Sequence, residues 1–241
     1  MYITFMQSKV TCIIPARGGS KRLPRKNTLI YRGDPLVVGA CKKAIEAQIF
    51  DRVIVSTEDS EIVEATRAIS GVEIDYRPEH LSWDNVRADE VIRHVIQSNR
   101  ITNEELVCCL LPTTPKISYH DLQSAIKEFW VSALMEPLFA VIPNYQTPFR
   151  SFTLSEGSHL TPLFPEKLVF QSQEYPICVN DAGQFYFALA KDWIKNYSIT
   201  AAPLVRGLVL NHDYIIDINT QRDWDLFLKL DEKPEKIQRG R

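Results

Sequence analysis

The chain has 241 residues, 45% hydrophobic and 24% charged, with a formal net charge of -2. That length can bury one substantial core, and the near-balanced charge excludes a protein that wraps nucleic acid with a broad basic face. The longest apolar runs, ELVCCLLP and LVRGLVLN, fall far short of the roughly 20 residues that a membrane-crossing helix requires, so no membrane partner is expected.

The opening MYITFMQSKV lacks the charged start, apolar stretch and small-residue cleavage site of a secretion signal, which makes the cytoplasm the expected compartment. VTCIIPA then reads as a buried strand. After a basic loop, PLVVGACKKAIEAQ reads as a helix, with Val37, Cys41, Ala44 and Ile45 on one face behind Pro35. RVIVS is the next strand, and Asp59 or Thr57 can cap a helix carrying Ile62, Thr66 and Ile69. VEIDYR follows as a strand, then a helix through Val91, Ile92, Val95 and Ile96, the strand ELVCCLLP, the helix YHDLQSAIKEFW and the strand PLFAVIP. Strands alternating with helical crossovers imply an α/β fold around an open, mostly parallel, twisted sheet.

From Pro143 to about Leu189 the alternation stops, and Pro, aromatic and turn residues dominate. We expect a small β-rich insertion lobe over 143–189 inside a single domain spanning 1–241. LVRGLVLNHDYIIDI returns as one or two strands, and TQRDWDLFLKL closes the fold as a helix capped by Thr220. Of the five cysteines, Cys12, Cys41, Cys108 and Cys109 lie in apolar segments without CxxC spacing, which predicts reduced, buried thiols. His80, His94, His120, His159 and His212 show no metal-ligand spacing.

The informative segment is CIIPARGGSKRLPRKN, residues 12–27, with five cations and no acid. Pro15 and Pro24 forbid a helix, and Gly18 and Gly19 allow close approach of a ligand. Glycine amides with Arg17, Lys21 and Lys26 form a set suited to polyphosphate oxygens, at the C-terminal end of a strand where open α/β sheets bind ligands. The order Ser20-Lys21 does not match a Walker A loop, and RGGSKR lacks GxGxxG.

The segment IIPARGGSKRLPRKN resembles the signature loop of the cytidylyltransferases that activate nonulosonic acids, the acylneuraminate group. FDRVIVSTEDSEI, YRPEHLSWD and DLFLKL extend the resemblance over nearly the whole chain. PFRSF, FQSQE and NDAGQFYF resemble the pseudaminic acid members more than the N-acetylneuraminate members. The resemblance implies a Rossmann-like nucleotidyltransferase fold, a homodimer, and transfer of CMP from CTP to the anomeric hydroxyl of a nine-carbon keto-acid sugar, with Mg²⁺ and release of pyrophosphate. N-acetylneuraminate, legionaminate or an octulosonate remain alternative sugars, and a catalytically weak CTP-binding homologue is a further alternative.

By position in that resemblance, Arg17, Lys21 and Lys26 contact the triphosphate, Asp217 is catalytic, and Asp217 with Asn219 is the metal pair. Asn219 stands where the family carries a second Asp, so another acid such as Asp213 is an alternative ligand. Ala16, Gly18, Gly19, Ser20, Asn27, Arg77 and Leu81 fall on the nucleotide side. Leu111, Arg150, Gln173, Asp181, Gln184 and Tyr186 fall on the sugar side, with Gln171 near them and Leu111 at a position where N-acetylneuraminate enzymes carry Gln. Arg150 suits a sugar carboxylate or a surface ion pair; Asp181 suits a sugar hydroxyl, its proton, or ordinary Asp-Ala-Gly turn chemistry. Arg22, Arg25 and Trp83 are either ligand contacts or solvated surface groups.

Overall fold

A computed structural model describes residues 8–144, 146–195, 198–210 and 215–232. Strand β1 (Val10–Pro15) runs into the basic loop, a minimal hairpin β2 (Ile30–Tyr31) and β3 (Asp34–Pro35), and helix α1 (Leu36–Ala47). Then come β4 (Arg52–Thr57), α2 (Ser60–Arg67), β5 (Val72–Tyr76), α3 (Ala88–Ser98), β6 (Leu106–Leu110), α4 (Tyr119–Val131) and β7 (Leu138–Pro143). The second half holds the hairpin β8 (Phe152–Leu154) and β9 (Leu160–Pro162), then β10 (Val179–Leu189), α5 (Ala190–Lys195), β11 (Arg206–Val209) and α6 (Gln221–Asp231).

Seven strands form one sheet in the order β11-β7-β10-β6-β1-β4-β5. β1 pairs in parallel with β4 on one side and β6 on the other, so the chain reverses its winding beside β1. The basic loop leaves β1 at that reversal, where the crevice of an open α/β sheet lies. Strands buried on both faces read as near-continuous apolar runs, as in β6 and, but for the buried Thr11, β1. Cys12 and Ile14 point into a core shared with α1, α2 and α4, while Ile13 points into the opposite one with α3 and Trp193.

Caps begin the helices where the sequence places them. Asp59 accepts from the amides of Glu61 and Ile62 at 3.0 Å each, and Thr57 Oγ1 accepts from Asp59 N. Thr220 Oγ1 accepts from Asp223 N, and Asp223 answers to the Thr220 amide, a reciprocal pair that starts α6. Cys12, Cys108 and Cys109 in the sheet and Cys41 in α1 are free and buried.

Several expectations change. Ile45 is exposed rather than part of the buried face of α1, which is carried by Val37, Cys41 and Ala44. β7 does not extend the parallel sheet beside β6: β10 inserts between them, antiparallel to both. The irregular lobe therefore ends near residue 178 and not at Leu189, because Phe185, Phe187 and Leu189 are core residues. Only Arg206–Val209 forms a strand among the described residues of LVRGLVLNHDYIIDI; residues 215–219 run without sheet pairing. Asp213 and His212 lie outside the described residues.

Candidate functional site

The basic loop is held down by one apolar plug. Leu23 is 2% exposed and packs with Leu36, Ile218, Trp224 and Phe227, so loop, α1 and α6 share a small core. Ile218 is fully buried in this cluster. In an extended stretch neighbouring side chains point to opposite sides, so Asp217 and Asn219 face the loop from above it.

A cavity of about 610 Å³ opens there, lined by Arg17, Ser20, Lys21, Arg22, Lys26 and Asn27 from the loop. Arg77, Leu81 and Asp84 line one wall, and Leu111, Thr113, Asp217 and Asn219 another. Arg17 donates to Ser82 O at 3.2 Å and pairs with Asp84 at 2.7 Å; Lys21 pairs with the other Asp84 oxygen at 2.9 Å. Lys21 and Arg17 together hold the Asp84 carboxyl below the usual range. Asn27 is buried and donates to Arg17 O at 2.8 Å, fixing the loop's curvature.

Asn219 is oriented by its neighbours. Its amide nitrogen donates to Asp217 Oδ2 at 2.6 Å, and its oxygen accepts from Lys26 and Arg22, each at 3.2 Å. Only this orientation satisfies both a carboxylate and two cations. Thr113 Oγ1 reaches Asp217 at 3.5 Å. Burial pushes the Asp217 carboxyl up, with Asn219 and Lys26 opposing the shift, and burial lowers the Lys26 ammonium despite Asp217.

Arg77 is a buried cation, 6% exposed, and donates to Ser56 O at 2.6 Å. Burial lowers its guanidinium to about 10. Such a group is rigid, since its fork is fixed from below by β4 while it borders the cavity.

A second cavity of about 290 Å³ shares Ala88 and Leu111 with the first. Asp181, Tyr186, Arg87, Asp89, Ser198 and Thr200 supply its polar side. Tyr186 OH donates to the Asp181 carboxylate at 2.9 Å, and burial, then Asp181, drives its phenol upward. Gly183, at φ +61, makes the bulge that breaks the register of β10 between Asp181 and Tyr186. A Cβ there would meet Asp217 Cγ at 2.9 Å.

The remaining sequence candidates lie elsewhere. Ala16 is fully buried and its amide donates to Ser56 O. Gly18 is buried and its amide donates to Glu58 Oε1 at 2.9 Å; a Cβ there would come 2.0 Å from Asp59 Oδ2. Its role is close packing on Asp59, not a bare approach for ligand. Gly19 is exposed and unobstructed. Arg25 turns away from the cavity to Asp59 and Glu61. Arg150 donates to Tyr175 OH and Phe170 O within the lobe, and Gln173 donates to Gln171. Gln184 is 1% exposed and spends its amide on Ala182 O. Arg150, Gln173 and Gln184 therefore line neither cavity. Trp83 is 60% exposed and lines neither as well.

Sequence reasoning passed over Asp84, Arg87 and Asp89. Asp84 lies within the YRPEHLSWD segment that carries the family resemblance, but nothing local to that segment or to Arg87-Ala88-Asp89 says which side chains face the cavities.

The cytidylyltransferase family model matches residues 11–150. A pseudaminic acid cytidylyltransferase of Campylobacter jejuni is 33% identical over 218 residues, covering 89% of this chain and 93% of that protein. A CMP-N,N'-diacetyllegionaminic acid synthase of Legionella pneumophila is 29% identical, covering 93% of this chain and 97% of that protein. Among solved structures, a CMP:2-keto-3-deoxy-manno-octonic acid synthetase complexed with CTP superposes with a TM-score of 0.66 at 15% identity, covering 92% of this chain and 98% of that one. With a cationic loop at the winding reversal of a mostly parallel sheet, and a family match over more than half its length, this chain belongs to the cytidylyltransferase family.

Proposed function

We propose that the protein transfers CMP from CTP to the anomeric hydroxyl of a nonulosonic acid, pseudaminic acid, and releases pyrophosphate. The observation that carries this reading is the convergence of Arg17, Lys21 and Lys26 on one cavity of about 610 Å³ that shares Ala88 and Leu111 with a second, amphipathic one. The first seats the nucleotide and the second the sugar, with Leu111 at their junction.

In the reaction the anomeric oxygen forms a bond to the α-phosphorus as the bond from that phosphorus to the bridging oxygen of pyrophosphate breaks. Charge grows on the departing pyrophosphate, and cations fixed at those oxygens stabilise the transition state more than the ground state. In this reading Arg17 and Lys21 meet the leaving phosphates and Lys26, near Asp217, meets the α-phosphate, which their shared cavity supports. Ser20 and Asn27 shape the loop around them. Arg77 and Leu81 border the nucleoside end. Asp181, held by Tyr186 OH, accepts from a sugar hydroxyl.

The donor set fits a divalent cation through Asp217, a hard carboxylate that substrate phosphates would complement. Asn219 fits less well, because its oxygen already faces Lys26 and Arg22. Mg²⁺ held by Asp217 would neutralise developing phosphate charge.

The lobe exposes Phe152, Leu154, Leu160, Val169 and Ile177, apolar side chains that a second copy of the chain would cover in a homodimer. No described helix is long and apolar enough to cross a membrane. CTP as substrate and the free, buried thiols favour the cytoplasm.

The test is pyrophosphate release from CTP and Mg²⁺ with pseudaminic, legionaminic, N-acetylneuraminic or 3-deoxy-octulosonic acid. Release should be fastest with pseudaminic acid. Faster release with another sugar reassigns the acceptor, and release with none removes the transferase reading.

A further inference from the structure

The loop's cations are not bare. The Asp84 carboxylate lies in the phosphate cavity and bridges them, one oxygen 2.7 Å from Arg17 and the other 2.9 Å from Lys21. A nearby loop donor, Gly18 N, likewise ends on an acid, Glu58. A bridging pair of anionic oxygens on two cations is the arrangement that a phosphate would make there. Arg17 is also tied to Ser82 O, so the Ser82–Asp84 segment grips it twice. Lys21 extends into solvent, its side chain 86% exposed, and its ammonium pairs with Asp84.

We propose that Asp84 is an internal counter-anion that occupies Arg17 and Lys21 in the absence of substrate and is displaced by the substrate's phosphates. This inference rests on the proposed placement of the triphosphate at Arg17 and Lys21. A single carboxylate yields to a polyphosphate of three or four charges. Once displaced, it remains beside the cavity as a like charge, so it weakens the hold on pyrophosphate and speeds its departure. The role makes and breaks no covalent bond.

Inorganic pyrophosphate, titrated without metal into the full chain, reads this directly. Wild-type protein should bind it, which tests the phosphate site itself; no binding by wild type refutes the underlying reading. Asp84→Asn should then bind pyrophosphate about tenfold tighter, with a lower KM for CTP and a reduced kcat as product leaves more slowly. Asp84 is solvated, and exposed pairs contribute little to folding, so thermal melting should be nearly unchanged. Asp84→Ser removes the same charge with a smaller side chain and should tighten binding in the same direction. Asp84→Glu, keeping the charge, should restore wild-type affinity. Pyrophosphate affinity that is equal or weaker in folded Asp84→Asn and Asp84→Ser, with wild type binding normally, would overturn the inference.

Discussion

Asn219 donates its amide nitrogen to the Asp217 carboxylate across 2.6 Å, while its oxygen receives Lys26 and Arg22. One neutral side chain thus links the acid at the end of the extended segment to the cationic loop. A carboxylate at the same position would keep the cations and repel Asp217, a conflict that a divalent ion resolves.

Asn219→Asp should therefore raise metal affinity. We expect the Mg²⁺ concentration for half-maximal turnover to fall about tenfold, within the range that one added charged ligand supplies. Metal titration of initial rates and calorimetry of Mg²⁺ with CTP both read it. An unchanged Mg²⁺ dependence would place the metal away from Asp217.

Gly18→Ala and Gly19→Ala should separate. The new Cβ at 18 would sit 2.0 Å from Asp59 Oδ2, and Asp59 cannot swing away because it caps α2 and holds Arg25. We expect a loss of roughly 1–3 kcal/mol in folding stability. A Cβ at 19 meets nothing within 4 Å, so that variant should melt within about 0.5 kcal/mol of wild type. Urea titrations decide, and equal stabilities would remove the packing role given to Gly18.

Lys43 gives a pH signature. It reaches from α1 to the carbonyls of Thr114 and Pro115, bracing the turn that brings Thr113 to Asp217. Burial lowers its ammonium to about 8 from 10.5. Between those values the unfolded chain holds the proton more firmly, so Lys43's contribution to stability rises with pH; below about 8 both states are charged and the burial penalty is felt in full. Relative to Lys43→Met, the wild type should gain about 1–3 kcal/mol between pH 7 and pH 10. A flat difference in urea unfolding across that range would contradict it.

Local chemistry made much of the fold readable. Asp59 and Thr220 announce their helices, and the apolar runs of β1, β4 and β6 announce a doubly covered sheet. What stayed hidden depends on contacts distant in sequence. Phe185 and Phe187 read as lobe aromatics because nothing local says that β10 enters between β6 and β7. Arg150 suited a sugar carboxylate or a surface ion pair, and the structure instead bonds it to Tyr175 and Phe170 within the lobe. Asp84 lies in the YRPEHLSWD segment but was not named as a site residue, since its meaning comes from Arg17 and Lys21, which lie four strands and two helices earlier in the chain.

The central claim is that Arg17, Lys21 and Lys26 grip the phosphates of CTP. Calorimetric titration of CTP into wild-type and Lys21→Ala protein tests it most directly. Lys21 is a surface side chain, so its removal should leave melting unchanged while weakening CTP binding about tenfold or more and lowering turnover by roughly 10²–10³. Equal CTP affinity in the two proteins, or no heat with either at millimolar nucleotide, would contradict the account.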